Sequence, residues 1–245
     1  MVSTASLKPT LASLQKILFP GSCSLCLEPL KPSQQAFCSY CVDNLPFILQ
    51  ACSHCSEPLP LSSQCPACQK NPPNFRHCIT LCLYKQPISS AIIQIKKDLH
   101  APETKQLSLL LANHLIATYK DKEMPKIIIP MPAHPLKMAS RGFNQSYLIA
   151  EFICSKIQGT QLRNDICLRK RLGKAQRFKT RQQRMKILSA TFCSYNSQDF
   201  KDKSLALVDD VVTTGATAKA ATLCLLEAGA KSVDLWCIAK TSWHN

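Results

Sequence analysis

Residues 205–217, LALVDDVVTTGAT, restrict this chain more than any other stretch. Four apolar residues open it and read as a buried strand. Asp209 and Asp210 follow, then Val211, Val212, Thr213, Thr214, Gly215, Ala216 and Thr217. From Ala216 the pattern becomes helical as far as Ala228, with Gly229 as its stop. The expected unit is therefore strand, tight loop, helix. A loop of this kind aims main-chain N–H groups at one point, and the helix N-terminus adds partial positive charge, which together suit a phosphate. Gly215 has no side chain to block close approach of the backbone. Two carboxylates at that place repel phosphate but suit vicinal hydroxyls or a hydrated Mg²⁺. Phosphate at one end and a diol at the other describe a ribose 5-phosphate.

The stretch resembles the 5-phosphoribosyl-1-pyrophosphate (PRPP) motif of type I phosphoribosyltransferases. That resemblance implies that Asp209 and Asp210 hold the ribose hydroxyls, that Thr213 to Thr217 wrap the 5-phosphate, and that Mg²⁺ is bound with PRPP.

The second strong signal is cysteine spacing. Of fifteen cysteines, eight form four CxxC pairs: Cys23/Cys26, Cys38/Cys41, Cys52/Cys55 and Cys65/Cys68. One such knuckle offers two thiolates to a metal and two knuckles complete a tetrahedral site, so eight ligands make two structural Zn²⁺ sites. A module this small depends on metal to fold. Sequential pairing of the knuckles is the expected order, with a crossed order open; redox dithiols or an iron–sulfur cluster are the rival readings of the pairs. Cys78, Cys82, Cys154, Cys167, Cys193, Cys224 and Cys237 lack the spacing and read as small core residues in a reducing compartment.

At 245 residues the chain has room for one medium domain and one small one. The expected division is an N-terminal helix within 1–20 (its amphipathic part 6–18), a double zinc ribbon over 21–72, and an α/β domain over 76–245. The N-terminus lacks a signal-peptide layout and no run is long enough to span a membrane, so a cytoplasmic location is expected. Past the Pro-rich joint at 70–75, a strand is read at 78–84, helices over 88–97 and 102–119, and a strand at 127–129. His114 lies on the apolar face of the second helix and reads as a core or boundary residue. The strand at 127–129 runs into Pro130-Met131-Pro132 and the sequence AHPLKMASRGFNQS, read as a loop at the pocket edge. There Lys137 and Arg141 supply charge for pyrophosphate, and Asn144, with Ser146 as rival, caps a helix over 145–156. NSQDFKDK reads as an exposed turn, and the strand near 233–239 as the far side of the sheet. Strands alternating with helices predict a parallel α/β sheet with its site at the strand C-terminal ends.

The CxxC pairs, the I-x-x-x-K ending at Lys96, P-x-P-x-H at 130–134, RGFNQ at 141–145, Gln176 with Arg184, and LVDDVVTTGAT together resemble the ComF-type competence proteins. Ile187 departs from that pattern, where Asn is common. The resemblance implies a type I phosphoribosyltransferase-like sheet with helices on both faces, behind the ribbon. It places Lys96 and Lys137 among the PRPP contacts and Arg141, Asp209 and Asp210 at the reacting centre. It also implies a role in handling single-stranded DNA during natural transformation, with helicase and recombination-mediator partners. Thr213 stands where purine-salvage relatives carry an Asp facing the base, which argues against a purine acceptor.

Residues 169–186 carry nine Lys or Arg and no acid, against a net charge of +15 for the whole chain. This run reads either as a flap that neutralises leaving pyrophosphate, or as a nucleic-acid track through Arg177, Lys179, Arg181 and Arg184, with Phe178 for stacking. Three functions stay open: a PRPP- and Mg²⁺-binding competence protein, a phosphoribosyltransferase with an unidentified acceptor, and a non-catalytic adaptor for nucleic acid or a partner.

Overall fold

The computed structural model describes residues 21–32, 34–60, 63–169, 192–195 and 197–242. The expected helix at 6–18 and most of the basic run, including Gln176, Arg177, Phe178, Lys179, Arg181, Arg184 and Ile187, lie outside these residues. The chain divides into two compact units, one ending at Leu45 and one beginning at Pro46.

In the first unit a tight knuckle closes with Ser22 bridged to Pro29, and a short helix, α1 (Ser39–Asp43), is capped by Cys38 and carries Cys41 of the second cysteine pair. The second unit opens with a near copy. Ala51 bridges to Pro58, and a helix of the same length, α2 (Pro66–Lys70), is capped by Cys65 and carries Cys68 of the fourth pair. The likeness reaches the backbone: Cys23 and Cys52 each donate N–H to the carbonyl five residues on, at 2.8 Å. Leu27 and Ser56 both take positive φ, at 66° and 56°.

The rest of the second unit is a parallel sheet. Its strands are β1 (Cys78–Leu83), β2 (Ile127–Pro130), β3 (Gln161–Leu162), β6 (Ser204–Val212) and β7 (Ser232–Lys240), in the order β1-β7-β6-β2-β3. β4 (Cys167–Arg169) and β5 (Phe192–Ser194) form a separate antiparallel pair. The helices are α3 (Ile88–Lys97), α4 (Pro102–Thr118), α5 (Pro135–Arg141), α6 (Gln145–Lys156), α7 (Ser197–Phe200) and α8 (Ala216–Glu227).

Both sheet faces are buried, as near-continuous apolar strands require. Side chains alternate along each strand. Leu205, Leu207, Val233, Leu235 and Cys237 share one cluster with Ala218, Ala221 and Leu225 of α8. On the opposite parity, Trp236 and Asp234 meet Tyr119 at the end of α4: Tyr119 donates to Asp234 at 2.5 Å and accepts from Trp236 Nε1 at 3.1 Å. Arg76 adds a bidentate pair to the same carboxylate, at 2.9 and 2.6 Å. Leu107, Leu111 and Leu115 of α4 are fully buried at four-residue spacing. His114 sits half-buried at the margin of that face, its pKa lowered by burial.

From β2 the chain passes through α5 and α6 to β3 on one side; from β6 it passes through α8 to β7 on the other. Right-handed crossovers running in opposite directions put α6 and α8 on opposite faces, and open a crevice at the C-terminal ends of β2 and β6.

Three expectations need correction. β7 lies inside the sheet, between β1 and β6, so β1 is the edge. Residues 135–141 are a helix where a loop was expected: Pro135 occupies its first turn, the His134 ring accepts from Leu136 N–H at 3.2 Å, and Gly142 ends it at φ 79°. The segment around 197–200 is a short helix that buries Phe200 completely, so it is anchored rather than an exposed turn.

Candidate functional site

β6 continues past Val208 as far as Val212, so both acids lie within the strand. Asp209 is half-buried. Its Oδ1 accepts from Ser146 Oγ at 2.9 Å and from Asp210 N–H at 2.9 Å. Burial first, and then the neighbouring Asp210 carboxylate, hold the Asp209 carboxyl well above the usual range. Asp210 is 5% exposed and its Oδ2 lies 2.6 Å from Lys96 Nζ. Beyond the strand, Gly215 takes φ 70° as the cap of α8, and Thr214 Oγ1 accepts from Ala216 N–H at 3.4 Å. A cavity of about 70 Å³ is lined by Asp209, residues 211–218, Leu235 and Cys237. Thr213 and Thr214 are exposed at its mouth. The first turn of α8 supplies N–H groups with no intrahelical acceptor.

Across the crevice, Met131 N–H bonds Val208 O at 2.8 Å, and Asn144 Nδ2 bonds Met131 O at 3.1 Å. Asn144 also caps α6, its side chain accepting from Ser146 N–H at 3.1 Å. The rival cap, Ser146, instead carries its hydroxyl to Asp209. Arg141 Nη1 donates to Gln145 Oε1 at 3.1 Å. With Ile93, Lys96, Lys97 and Ser140 it lines a basic cavity of about 510 Å³. A larger hollow, about 840 Å³, is bordered by Phe143, Asn144, Tyr147, Leu168 and Arg169 among others. The structure thus brings together Lys96, Asp210 and, around one cavity, Arg141. Lys137 is exposed on α5 and lines none of these three cavities. Sequence reasoning missed Lys97 and Ser140 as cavity residues; only the basic pair at 96–97 hinted at the first.

The cysteines gather in two sets of four, Cys23/Cys26/Cys38/Cys41 and Cys52/Cys55/Cys65/Cys68, the sulfurs of each within 4.8 Å of one another. The pairing is sequential. Cys26 and Cys38 sulfurs lie 3.7 Å apart, as do those of Cys55 and Cys65. A disulfide needs about 2.05 Å. Four thiolates about 2.3 Å from one tetrahedral Zn²⁺ stand about 3.8 Å apart, so the donor set and spacing fit two structural zinc sites. Cys38 N–H and Cys65 N–H point at the sulfurs of Cys23 and Cys52, at 3.4 and 3.3 Å. Burial opposes ionisation of Cys23 and Cys52, but main-chain N–H donors outweigh it and lower them to about 6 and about 7. Cys78, Cys82, Cys167 and Cys237 are buried and Cys154 and Cys224 half-buried; burial pushes Cys78 and Cys82 up to about 12, which keeps them thiols.

The second cysteine set is fastened to the sheet. Ser56 Oγ bonds Cys78 O at 2.5 Å, Cys78 N–H bonds His54 O at 3.0 Å, and Glu57 pairs with Lys240 at 3.2 Å. Lys240 stands in register beside Val212, whose carbonyl accepts from Thr241 N–H at 3.1 Å. Phe75 packs 3.9 Å from where a Gly215 side chain would begin. The knuckle and the loop that follows β6 therefore share the end of β7.

A parallel sheet with its switch point between β2 and β6, an acid-bearing strand turning there into a helix, and two four-cysteine clusters define an α/β protein with a Cys-rich N-terminal module of the zinc-ribbon kind. Residues 14–69 match the double zinc ribbon domain family model. The DNA utilization protein YhgH of Escherichia coli K12 is 29% identical over 225 residues, covering 91% of this chain and 98% of that one. Competence protein F of Haemophilus influenzae is 25% identical over 228 residues, with the same coverage. Competence protein ComFC of Bacillus subtilis is 29% identical over 111 residues, 45% of this chain and 42% of that one. The similarity to the competence F and DNA utilization proteins extends along nearly the whole length of this chain. Among solved structures, purine phosphoribosyltransferase from Pyrococcus horikoshii overlaps 56% of this chain and 72% of its own, at 21% identity and TM-score 0.36. The fold class rests on the sheet order, to which an overlap of that size adds no weight. Among the described residues no helix is long and apolar enough to cross a membrane.

Proposed function

We propose that this chain binds PRPP with Mg²⁺ and serves the handling of single-stranded DNA during natural transformation. The observation that carries the reading is the turn from β6 into α8, with Asp209 and the 211–217 loop around one small cavity at the sheet's switch point. The 5-phosphate is held by main-chain N–H groups and hydroxyls of Thr213, Thr214 and Thr217. Asp209, steadied by Ser146, accepts from ribose hydroxyls. Lys96 and Arg141 face the diphosphate from the basic cavity. When bound, Mg²⁺ neutralises diphosphate charge and strengthens it as a leaving group. The names of the similar proteins, competence and DNA utilization, support the nucleic-acid half of the reading. So does the basic run that begins at Arg169.

A second reading, transfer of the phosphoribosyl group to an acceptor, is favoured by the hollow beside Asn144, which Phe143 and Tyr147 line as a ring-binding wall. In that case the chain positions C1 and neutralises the leaving group rather than supplying a base, since Thr213 is no general base. Calorimetric titration with PRPP and Mg²⁺ tests the common core of both readings. Binding is expected for the zinc-loaded protein and its loss for Asp209→Ala with Asp210→Ala; unchanged affinity in that double variant refutes the site.

A further inference from the structure

Adjacent side chains on a strand leave it on opposite faces, and the two acids here keep different company. Asp209 and Asp210 lie inside β6, where successive side chains point to opposite faces. Asp209 falls on the face shared with Leu235 and Cys237 and lines the loop cavity with them. Asp210 does not line that cavity. It is nearly sealed from water, and its carboxylate meets the ammonium of Lys96 at 2.6 Å. Lys96 belongs to the last turn of α3, whose Ile88, Ile92 and Ile95 are buried. That leaves Lys96 at the rim of the apolar face, 29% exposed, as part of the wall of the basic cavity with Lys97, Ser140 and Arg141.

We propose that the two acids divide the work: Asp209 alone meets the sugar, and Asp210 is a positioning residue that aims Lys96 into the basic cavity. The inference rests on the phosphoribosyl reading above and changes the part assigned to Asp210 in it. An ammonium has three donors, so one held beside Asp210 as an ion pair keeps donors for an anion in the cavity. The pair also restrains a long, flexible side chain and offsets repulsion among Lys96, Lys97 and Arg141, all gathered around one hollow. Asp210 therefore contributes to anion binding although it carries the wrong charge to touch the anion.

The test separates the two halves of PRPP. Zinc-loaded full-length protein is titrated calorimetrically with ribose 5-phosphate and, separately, with inorganic pyrophosphate plus Mg²⁺. Asp210→Asn and Lys96→Met are each expected to weaken pyrophosphate by about ten- to hundredfold, with ribose 5-phosphate changed by no more than about twofold. Asp209→Ala is expected to show the reverse pattern. The double variant Asp210→Asn/Lys96→Met binds pyrophosphate no worse than Lys96→Met alone, and Lys96→Arg keeps part of the affinity. Asp210→Asn leaves Lys96 free to reach water, so its melting curve should stay cooperative. The proposal is overturned if Asp210→Asn weakens ribose 5-phosphate as Asp209→Ala does, or if the two single losses add in the double variant. If the unmodified protein binds neither probe, the phosphoribosyl reading itself fails. If it binds both and Lys96→Met leaves pyrophosphate unaffected, only the positioning role fails.

Discussion

Replacing Glu57 by alanine is expected to damage the α/β sheet and the loop between β6 and α8, although Glu57 belongs to the metal knuckle. Its carboxylate lies 3.2 Å from Lys240 Nζ, and both side chains are almost wholly withdrawn from water, at 4% and 2% exposure. Ser242 Oγ bonds the other carboxylate oxygen at 2.8 Å. At an effective dielectric of about 20, the direct attraction of such a pair is on the order of 5 kcal/mol. Removing one partner of a buried pair costs about 3–5 kcal/mol, mainly because the remaining charge is stranded in the interior. For a unit of this size that corresponds to a melting temperature lower by about 6–20 °C. The compensated variant Glu57→Leu/Lys240→Met, with no charge left to strand, is expected to recover most of the loss. Scanning calorimetry of the zinc-loaded proteins measures this. PRPP affinity should fall in Glu57→Ala as well, because Lys240 and Thr241 brace Val212 at the start of the loop. Cys52→Ser/Cys55→Ser, which disables the second metal site, should reproduce both effects. The reasoning is refuted if Glu57→Ala melts within about 1 °C of the unmodified protein, or if the compensated variant is no more stable than Glu57→Ala.

Two further outcomes follow from charge. Asp209 has a raised native pKa, so the folded state holds more protons than the unfolded one from the ordinary carboxylate range upward. Stability therefore falls as pH rises through that window and stays reduced above it. Asp209→Asn is expected to raise the melting temperature at neutral pH, with the gain vanishing near about pH 4, while sugar-phosphate binding is lost; a destabilised variant at pH 7 would contradict the assignment. Neutralising Arg177, Lys179 and Arg181 is expected to lower the salt slope of single-stranded DNA binding by about 2, at about 0.7 per lost phosphate contact; an unchanged slope removes that segment from the interface.

What the sequence revealed was local. The CxxC spacing named all eight thiolates, since a knuckle is made within four residues, and the two sulfur clusters follow that order. The strand-loop-helix at 205–217 was legible because apolar run, glycine and helical pattern lie side by side. Helix α5 was not, although Pro135 and Gly142 are start and stop signals. It spans less than two full turns, buries no residue, and lies among prolines that read equally well as loop. The interior place of β7 depends on pairing with β1, more than 150 residues earlier, which no local pattern encodes. The division between Asp209 and Asp210 was hidden for the same reason: Lys96 and Ser146 reach them from distant segments on different helices. Glu57 and Lys240, likewise, are ordinary surface residue types until the fold seals them together.

The central claim is that a phosphoribosyl group sits where β6 turns into α8. Crystals of the zinc-loaded protein soaked with PRPP and Mg²⁺ test it most directly. The account predicts a 5-phosphate within hydrogen-bond distance of main-chain N–H groups in residues 213–217, with ribose hydroxyls on Asp209. Density for the ligand elsewhere, or an empty loop at saturating PRPP, contradicts it.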